Sequence, residues 1–437
     1  QIINSLRPCK PDMFINNTNI ASNVRYIKNN RQKHAHFKDV YMSHLPTDMW
    51  MFTWVEKLTL TNTHIESLSH CPPFIKSLII TKGNLTCIRV ILPITLTYIE
   101  INETDLQTIQ NIPTNVTQLL LSDCPNLGIL DLTCYTCIET VRAKNCGLST
   151  VIIPDTCVKL KTIDLSDNNL CRNNFADNIF PISVNNLILQ RNNFDNEFVN
   201  EVLTTHCLHT LNISENNEIS YICFIPSMNS SEHLQSLNVQ KCSLTNLCNL
   251  PPKLIYINAS CNKILDVDVL PDSLETVVLS NNMIPHVSNI PNNCRIYKID
   301  NNLLTYFPAD MNQYPETLRE LDISDNKSIY QYIIEKIKIV HSKHPRLKKF
   351  VHGDDDNKSE NNKQEVHIVK CEQNNNKSNN WQKNRQYVRA SRHGKHLQVS
   401  TKSSSVTFTD THKQTTVTFQ PVFRAFYQIF HLDTITV

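Results

Sequence analysis

Apolar and polar positions along this chain follow one frame, which restarts about every 20 to 26 residues between residues 55 and 329. The clearest copy places Leu160, Ile163, Leu165, Asn168 and Leu170 in the order L-x-x-L-x-L-x-x-N-x-L. The same frame reads Leu274, Val277, Leu279, Asn282, Ile284, and again Leu254, Ile257, Ala259, Asn262, Ile264. Its Asn-or-Cys slot falls at Thr63, Gly83, Thr104, Cys124, Cys146, Asn168, Asn192, Asn216, Cys242, Asn262, Asn282, Asn302 and Asn326. From Cys242 to Asn302 the step is a constant 20 residues.

The central L-x-L is a short strand whose alternate residues face opposite sides. One coil cannot bury its own apolar face, so coils must stack, with each strand pairing in parallel roughly 4.8 Å from the next. The slot asparagine can satisfy backbone groups left unpaired where the strand ends. The pattern therefore predicts a right-handed α/β solenoid of about 13–14 coils, with a parallel β-sheet on its concave face. Apolar-Pro pairs precede many strands, at Leu92-Pro93, Ile112-Pro113, Ile153-Pro154, Phe180-Pro181, Leu250-Pro251, Leu270-Pro271, Ile290-Pro291 and Tyr314-Pro315. Proline predicts an extended convex segment without hydrogen bonds. The longer steps between Asn168 and Cys242 have room for a helical turn, best placed at Asn196 to Leu203.

These residues resemble the leucine-rich repeat superfamily over about residues 45–330. The L-P-x-x-L variant is similar to the short repeats of bacterial secreted effectors and to repeats of amoebae and their giant viruses. The resemblance implies a horseshoe whose concave face binds other macromolecules. Such effectors often carry a ubiquitin-ligase domain with a catalytic C-x-D cysteine. Here the cysteine after the repeats lies in Cys371-Glu372-Gln373, so ligase activity is not carried over.

Composition narrows the function classes. A formal net charge of +2 over 437 residues gives no global field toward nucleic acid or membrane. No apolar run is long enough to span a bilayer. The chain holds 52 Asn and only 5 Gly, a bias that fits an A+T-rich genome such as that of a virus or protist. Asn-x-Ser/Thr sites, including Asn84, Asn115 and Asn229, occur about as often as that many asparagines give by chance, so they do not argue for secretion. The 16 cysteines read mainly as buried thiols acting as small apolar residues. Cys134-Tyr-Thr-Cys137 without a second pair is a weak zinc signal. Cys124 and Cys146, on adjacent coils, have a spacing that permits a disulfide.

The flanks differ from the repeats. Residues 1–44 read as an N-terminal flank or cap, with His34-Ala-His36 as a solvated turn. Leu45-Pro46 opens the first coil, and Trp50, Phe52 and Trp54 are expected to cover its open end. The solenoid then spans 45–352 and ends in a capping helix over 329–341, where Ile329, Ile333, Ile334, Ile337 and Val340 share one face before Pro345. Leu347 and Phe350 suggest one more strand. Residues 353–384 read as a disordered polar linker, and 385–437 as a small β-rich basic tail with hairpin alternation at Val406–Phe408 and Val417–Phe419.

The outward residue between the two core residues of each strand defines a concave column. It runs through Thr59, Ile79, Glu100, Leu120, Arg142, Asp164, Ile188, Asn212, Asn238, Asn258, Val278, Lys298 and Asp322. The column before it adds Tyr98, Tyr256 and Glu320, and partner contacts are expected at Tyr98, Glu100, Leu120, Arg142, Asp164, Ile188, Tyr256 and Lys298 of the two columns. The sequence contains no phosphate loop, no H-E-x-x-H and no G-x-S-x-G. The expectation is a non-catalytic, cytoplasmic adaptor, without metal or cofactor, that binds a protein rather than a small molecule or nucleic acid. Alternatives are a secreted receptor or adhesin and the substrate-selecting module of a ubiquitin ligase. Oligomeric state is not encoded in the pattern.

Overall fold

The computed structural model describes residues 12–175, 179–222, 224, 232–267, 269–352, 397–402, 405–410 and 413–414. Two compact units divide the chain, Gln1–Ile368 and Val369–Val437.

The first unit is a solenoid of stacked coils. Its main sheet has 15 strands, each paired with its neighbour in sequence order. The strands run from His34–Lys38, Lys57–Thr61, Ser77–Gly83, Tyr98–Thr104, Gln118–Ser122 and Thr140–Lys144 through Thr162–Asp164, Asn186–Ile188, Thr210–Asn212, Ser236–Asn238 and Tyr256–Asn258 to Thr276–Val278, Ile296–Lys298, Glu320–Asp322 and Lys349–Val351. Every pairing is parallel and in register, so Leu58, Leu78, Ile99, Leu119, Val141 and Ile163 form one core column. All of them are fully buried, as L-x-L alternation requires.

The proline turns do more than extend the chain. The carbonyl of each accepts the backbone N–H three residues on, as in Leu96 to Pro93 at 3.1 Å, Leu274 to Pro271 at 3.1 Å and Cys294 to Pro291 at 3.0 Å. The turn swings the chain from the convex side back into the next strand. At the opposite strand end the residue before each slot lies in the left-handed region, as at Asn62, Asp123, Asp167, Arg191, Glu215, Lys241 and Cys261, with φ between 50 and 61. Asn and Asp tolerate that conformation best among non-glycine residues, which accounts for much of their use here.

Slot asparagines tie the coils together. The Asn192 Nδ2 donates to the carbonyls of Leu165 and Leu189, both at 3.0 Å, while its Oδ1 accepts from the Leu170 N–H at 2.8 Å. The Leu165 carbonyl also accepts from Asn168, and the Leu189 carbonyl from Asn216. One unbroken amide ladder thus joins three coils, and a second runs from Asn262 through Asn282 and Asn302 to Asn326. These side chains are buried, so the bonds are made away from water.

The sheet begins one coil earlier than the sequence reading places it. His34-Ala-His36 is part of the first strand, not a solvated turn: Ala35 and Phe37 fill the core column, and His36 pairs with Thr59. The frame is hidden there because Ala and Phe replace the usual Leu or Ile. Helix α1 (Asp12–Asn29) lies before this strand, with Ile20, Val24 and Ile27 against the core and the Asn23 Nδ2 donating to the His36 carbonyl at 2.7 Å. Phe52 is buried and Trp54 partly so, stacked 5.1 Å apart, but Trp50 points to solvent.

Helix α2 (Asn196–Thr205) occupies the longer coil at the expected place, capped by the Asp195 side chain, which accepts from the Phe198 N–H at 2.9 Å. It buries Phe198, Val199, Val202 and Leu203. Helix α3 (Gln331–Lys343) starts two residues later than the periodicity places it and buries Ile333, Ile334, Ile337 and Val340. The strand Lys349–Val351 follows it and completes the sheet.

In the second unit the strands Leu397–Lys402, Ser405–Asp410 and Lys413–Gln414 pair antiparallel. The segment Val406–Phe408 lies in this hairpin, whereas Val417–Phe419 and the linker 353–384 lie outside the described residues.

Candidate functional site

Strand register converts the concave column into a surface. Glu100, Leu120, Arg142, Asp164 and Ile188 are consecutive partners across five adjacent strands. At the spacing of parallel strands they form a line of roughly 19 Å. Tyr98 sits beside Glu100 on the same strand and donates its hydroxyl to the Glu100 Oε2 at 2.6 Å; Asn102 donates to the other oxygen at 2.9 Å. Burial, together with that bond to a carboxylate, pushes the Tyr98 phenol up to about 12.

The Arg142 Nε contacts the Asp164 Oδ2 at 3.2 Å. The arginine side chain is 48% exposed and that of the aspartate 12%. The Asp164 Oδ1 already accepts from the Ser166 hydroxyl at 2.6 Å and the Ser166 N–H at 3.1 Å. Asn212, Asn258 and Asp322 bond the serine two residues on in the same way. These middle-column residues therefore cap their own strand ends, a role the sequence reading did not give them. The signal was present as [D/N]-x-S after each core residue.

The remaining expected contacts stand apart. Tyr256 and Lys298 are half-buried on later strands. Lys298 and Lys349 both reach Glu320, at 3.0 and 2.8 Å. Burial pushes the Glu320 carboxyl up, but hydrogen bonds from the two lysines outweigh it and leave it below the ordinary value. Ile79, Leu120, Ile188 and Val278 are half-buried on the concave face but never adjacent, so they form no continuous apolar patch.

A charged rail beside the column escaped the sequence reading. Lys144 contacts Asp167 at 3.6 Å, Asp167 takes Arg191 at 2.7 Å, Arg191 also reaches Glu215 at 3.1 Å, and Glu215 takes Lys241 at 3.5 Å. Its members alternate in sign coil by coil one or two residues before the slot, positions that core-column reading passes over. Among the described residues no three His, Cys, Asp or Glu side chains converge to hold a metal ion, and no helix is long and apolar enough to cross a membrane.

A repeated strand-turn coil, slot asparagines bridging coils and one concave parallel sheet give this chain the fold of a leucine-rich repeat solenoid. Among solved structures it is similar to InlJ of Listeria monocytogenes, whose functional domain includes a cysteine ladder, with 18% identity, 74% of each chain covered and a TM-score of 0.53. It is also similar to YopM, a leucine-rich effector protein from Yersinia pestis, with 20% identity, 73% of this chain and 90% of that one covered, and a TM-score of 0.51. No protein-family model and no curated protein matches the sequence.

Proposed function

We propose that the concave face docks a protein partner and that the chain acts as a non-catalytic adaptor. The observation that carries this reading is the unbroken line Glu100–Leu120–Arg142–Asp164–Ile188, flanked by Tyr98. It mixes two half-buried aliphatic side chains, an exposed guanidinium and a carboxylate held by a phenol, the combination that anchors protein interfaces. Arg142 has donors left after its single bond to Asp164 and is the foremost anchor. The Asn-rich composition supports a virus or protist origin, for which the partner would be a host protein. YopM, to which the fold is similar, is named an effector protein, and that name fits this reading.

The test is site-directed photocrosslinking in extract of the host. A crosslinker at position 120 should capture one protein, and one at the exposed convex Val158 should not. Capture should fall at least tenfold in an Arg142→Glu, Ile188→Glu variant of unchanged circular dichroism. Equal capture from both faces, or capture indifferent to the two substitutions, overturns the proposal.

A further inference from the structure

The slots before Asn168 break the asparagine ladder and bring two thiols together. Ser122 and Lys144 are direct partners across the parallel strands Gln118–Ser122 and Thr140–Lys144. Two residues beyond each lie Cys124 and Cys146, in equivalent slots of adjacent coils, and both are fully buried. Strand spacing sets their Cα atoms roughly 4.8 Å apart, inside the range a disulfide spans.

We propose that Cys124 and Cys146 are an oxidative modification site, joined into an inter-coil disulfide by a small-molecule disulfide oxidant.

The surroundings of the two sulfurs differ. The Thr104 hydroxyl lies 3.4 Å from the Cys124 Sγ. A hydrogen bond from Cys146, with further help from Thr104, lowers the Cys124 thiol below its ordinary value, while the same pairing raises that of Cys146. Once these coils open, either sulfur can attack first; with Cys124 as the attacking thiolate the exchange runs in two steps. The Cys124 sulfur bonds to one sulfur of the oxidant and expels the other as a thiol. Cys146 then gives up its proton, attacks the Cys124 sulfur and releases the second thiol. Two protons and two electrons pass from the cysteine pair to the oxidant. Because both sulfurs are covered in the closed solenoid, the exchange takes place while these coils open or first dock. Weak contacts are given up, from Cys124 to the Ser122 carbonyl at 3.4 Å and from Cys146 to the Lys144 carbonyl at 3.2 Å. Among the described residues no disulfide is present, so Cys124 and Cys146 are both thiols that the oxidant would join.

The full chain should be unfolded, refolded in a buffer rich in oxidised glutathione, denatured, alkylated and mapped by mass spectrometry. The expected result is a Cys124–Cys146 linked peptide that reduction abolishes, with Cys146 becoming alkylated in Cys124→Ser and Cys124 in Cys146→Ser. The wild-type map alone decides the matter if those variants fail to fold. Full alkylation of both cysteines after oxidation overturns the proposal, as does either one linked to another cysteine, such as the exposed Cys134.

Discussion

Removing one rung of the amide ladder should cost more than any single surface contact. Asn192→Ala deletes the only side chain that accepts from the Leu170 N–H, at 2.8 Å, together with a longer bond from the Asn168 N–H at 3.3 Å. It also strips one of two donors from each of the Leu165 and Leu189 carbonyls. At roughly 1 kcal/mol for each net hydrogen bond, plus the penalty for a buried N–H left unpaired, the loss is about 3–4 kcal/mol. Asn193→Ala next door removes one exposed side-chain bond, to Asn169, and should stay within about 0.5 kcal/mol. Urea unfolding followed by circular dichroism measures both. Hydrogen exchange at Leu170 should accelerate in the first variant only. A loss under about 1 kcal/mol, or one equal to that of the neighbour, refutes the idea that these amides bind coil to coil.

Two glycines with the same left-handed backbone should respond differently. A Cβ at Gly147 (φ +60) would lie 2.2 Å from the Pro125 carbonyl oxygen, whereas one at Gly128 (φ +67) meets nothing within 4 Å. Gly128→Ala should cost about 1 kcal/mol from conformation alone, and Gly147→Ala well above about 2 kcal/mol; equal melting points for the two would contradict the clash. The Tyr98 phenol, raised from 10.0 to about 12, favours the protonated form in the folded state. Its contribution to stability is full below pH 10 and fades as pH climbs through about 12. An ultraviolet difference titration of wild type against Tyr98→Phe should show that ionisation late, and an ordinary value would remove the Glu100 bond from the account.

The core was legible because burial imposes it: L-x-L can alternate only one way, so Leu58 to Leu321 could be assigned to the inside without coordinates. The outward column followed by parity, and register made neighbours of residues some 20 apart. The first strand was missed because Ala35 and Phe37 carry no leucine signature. The capping role of Asp164 was missed because one carboxylate looks the same in sequence whether it meets solvent or its own backbone. The charged rail depends on left-handed turns that bring Asp167, Arg191 and Glu215 side by side, and nothing in their local sequence announces that conformation.

The constant 20-residue step between Cys242 and Asn302 gives the array a property that closed domains lack. The coils of Asn262, Asn282 and Asn302 bond their neighbours through the same atoms, so a whole unit can be lost or duplicated without opening the interior. Such an event shifts Lys298 relative to Ile188 by one strand spacing and leaves the packing rules unchanged. The distance between two ends of a recognition surface is then set by how many units the gene carries, and can change in a single recombination.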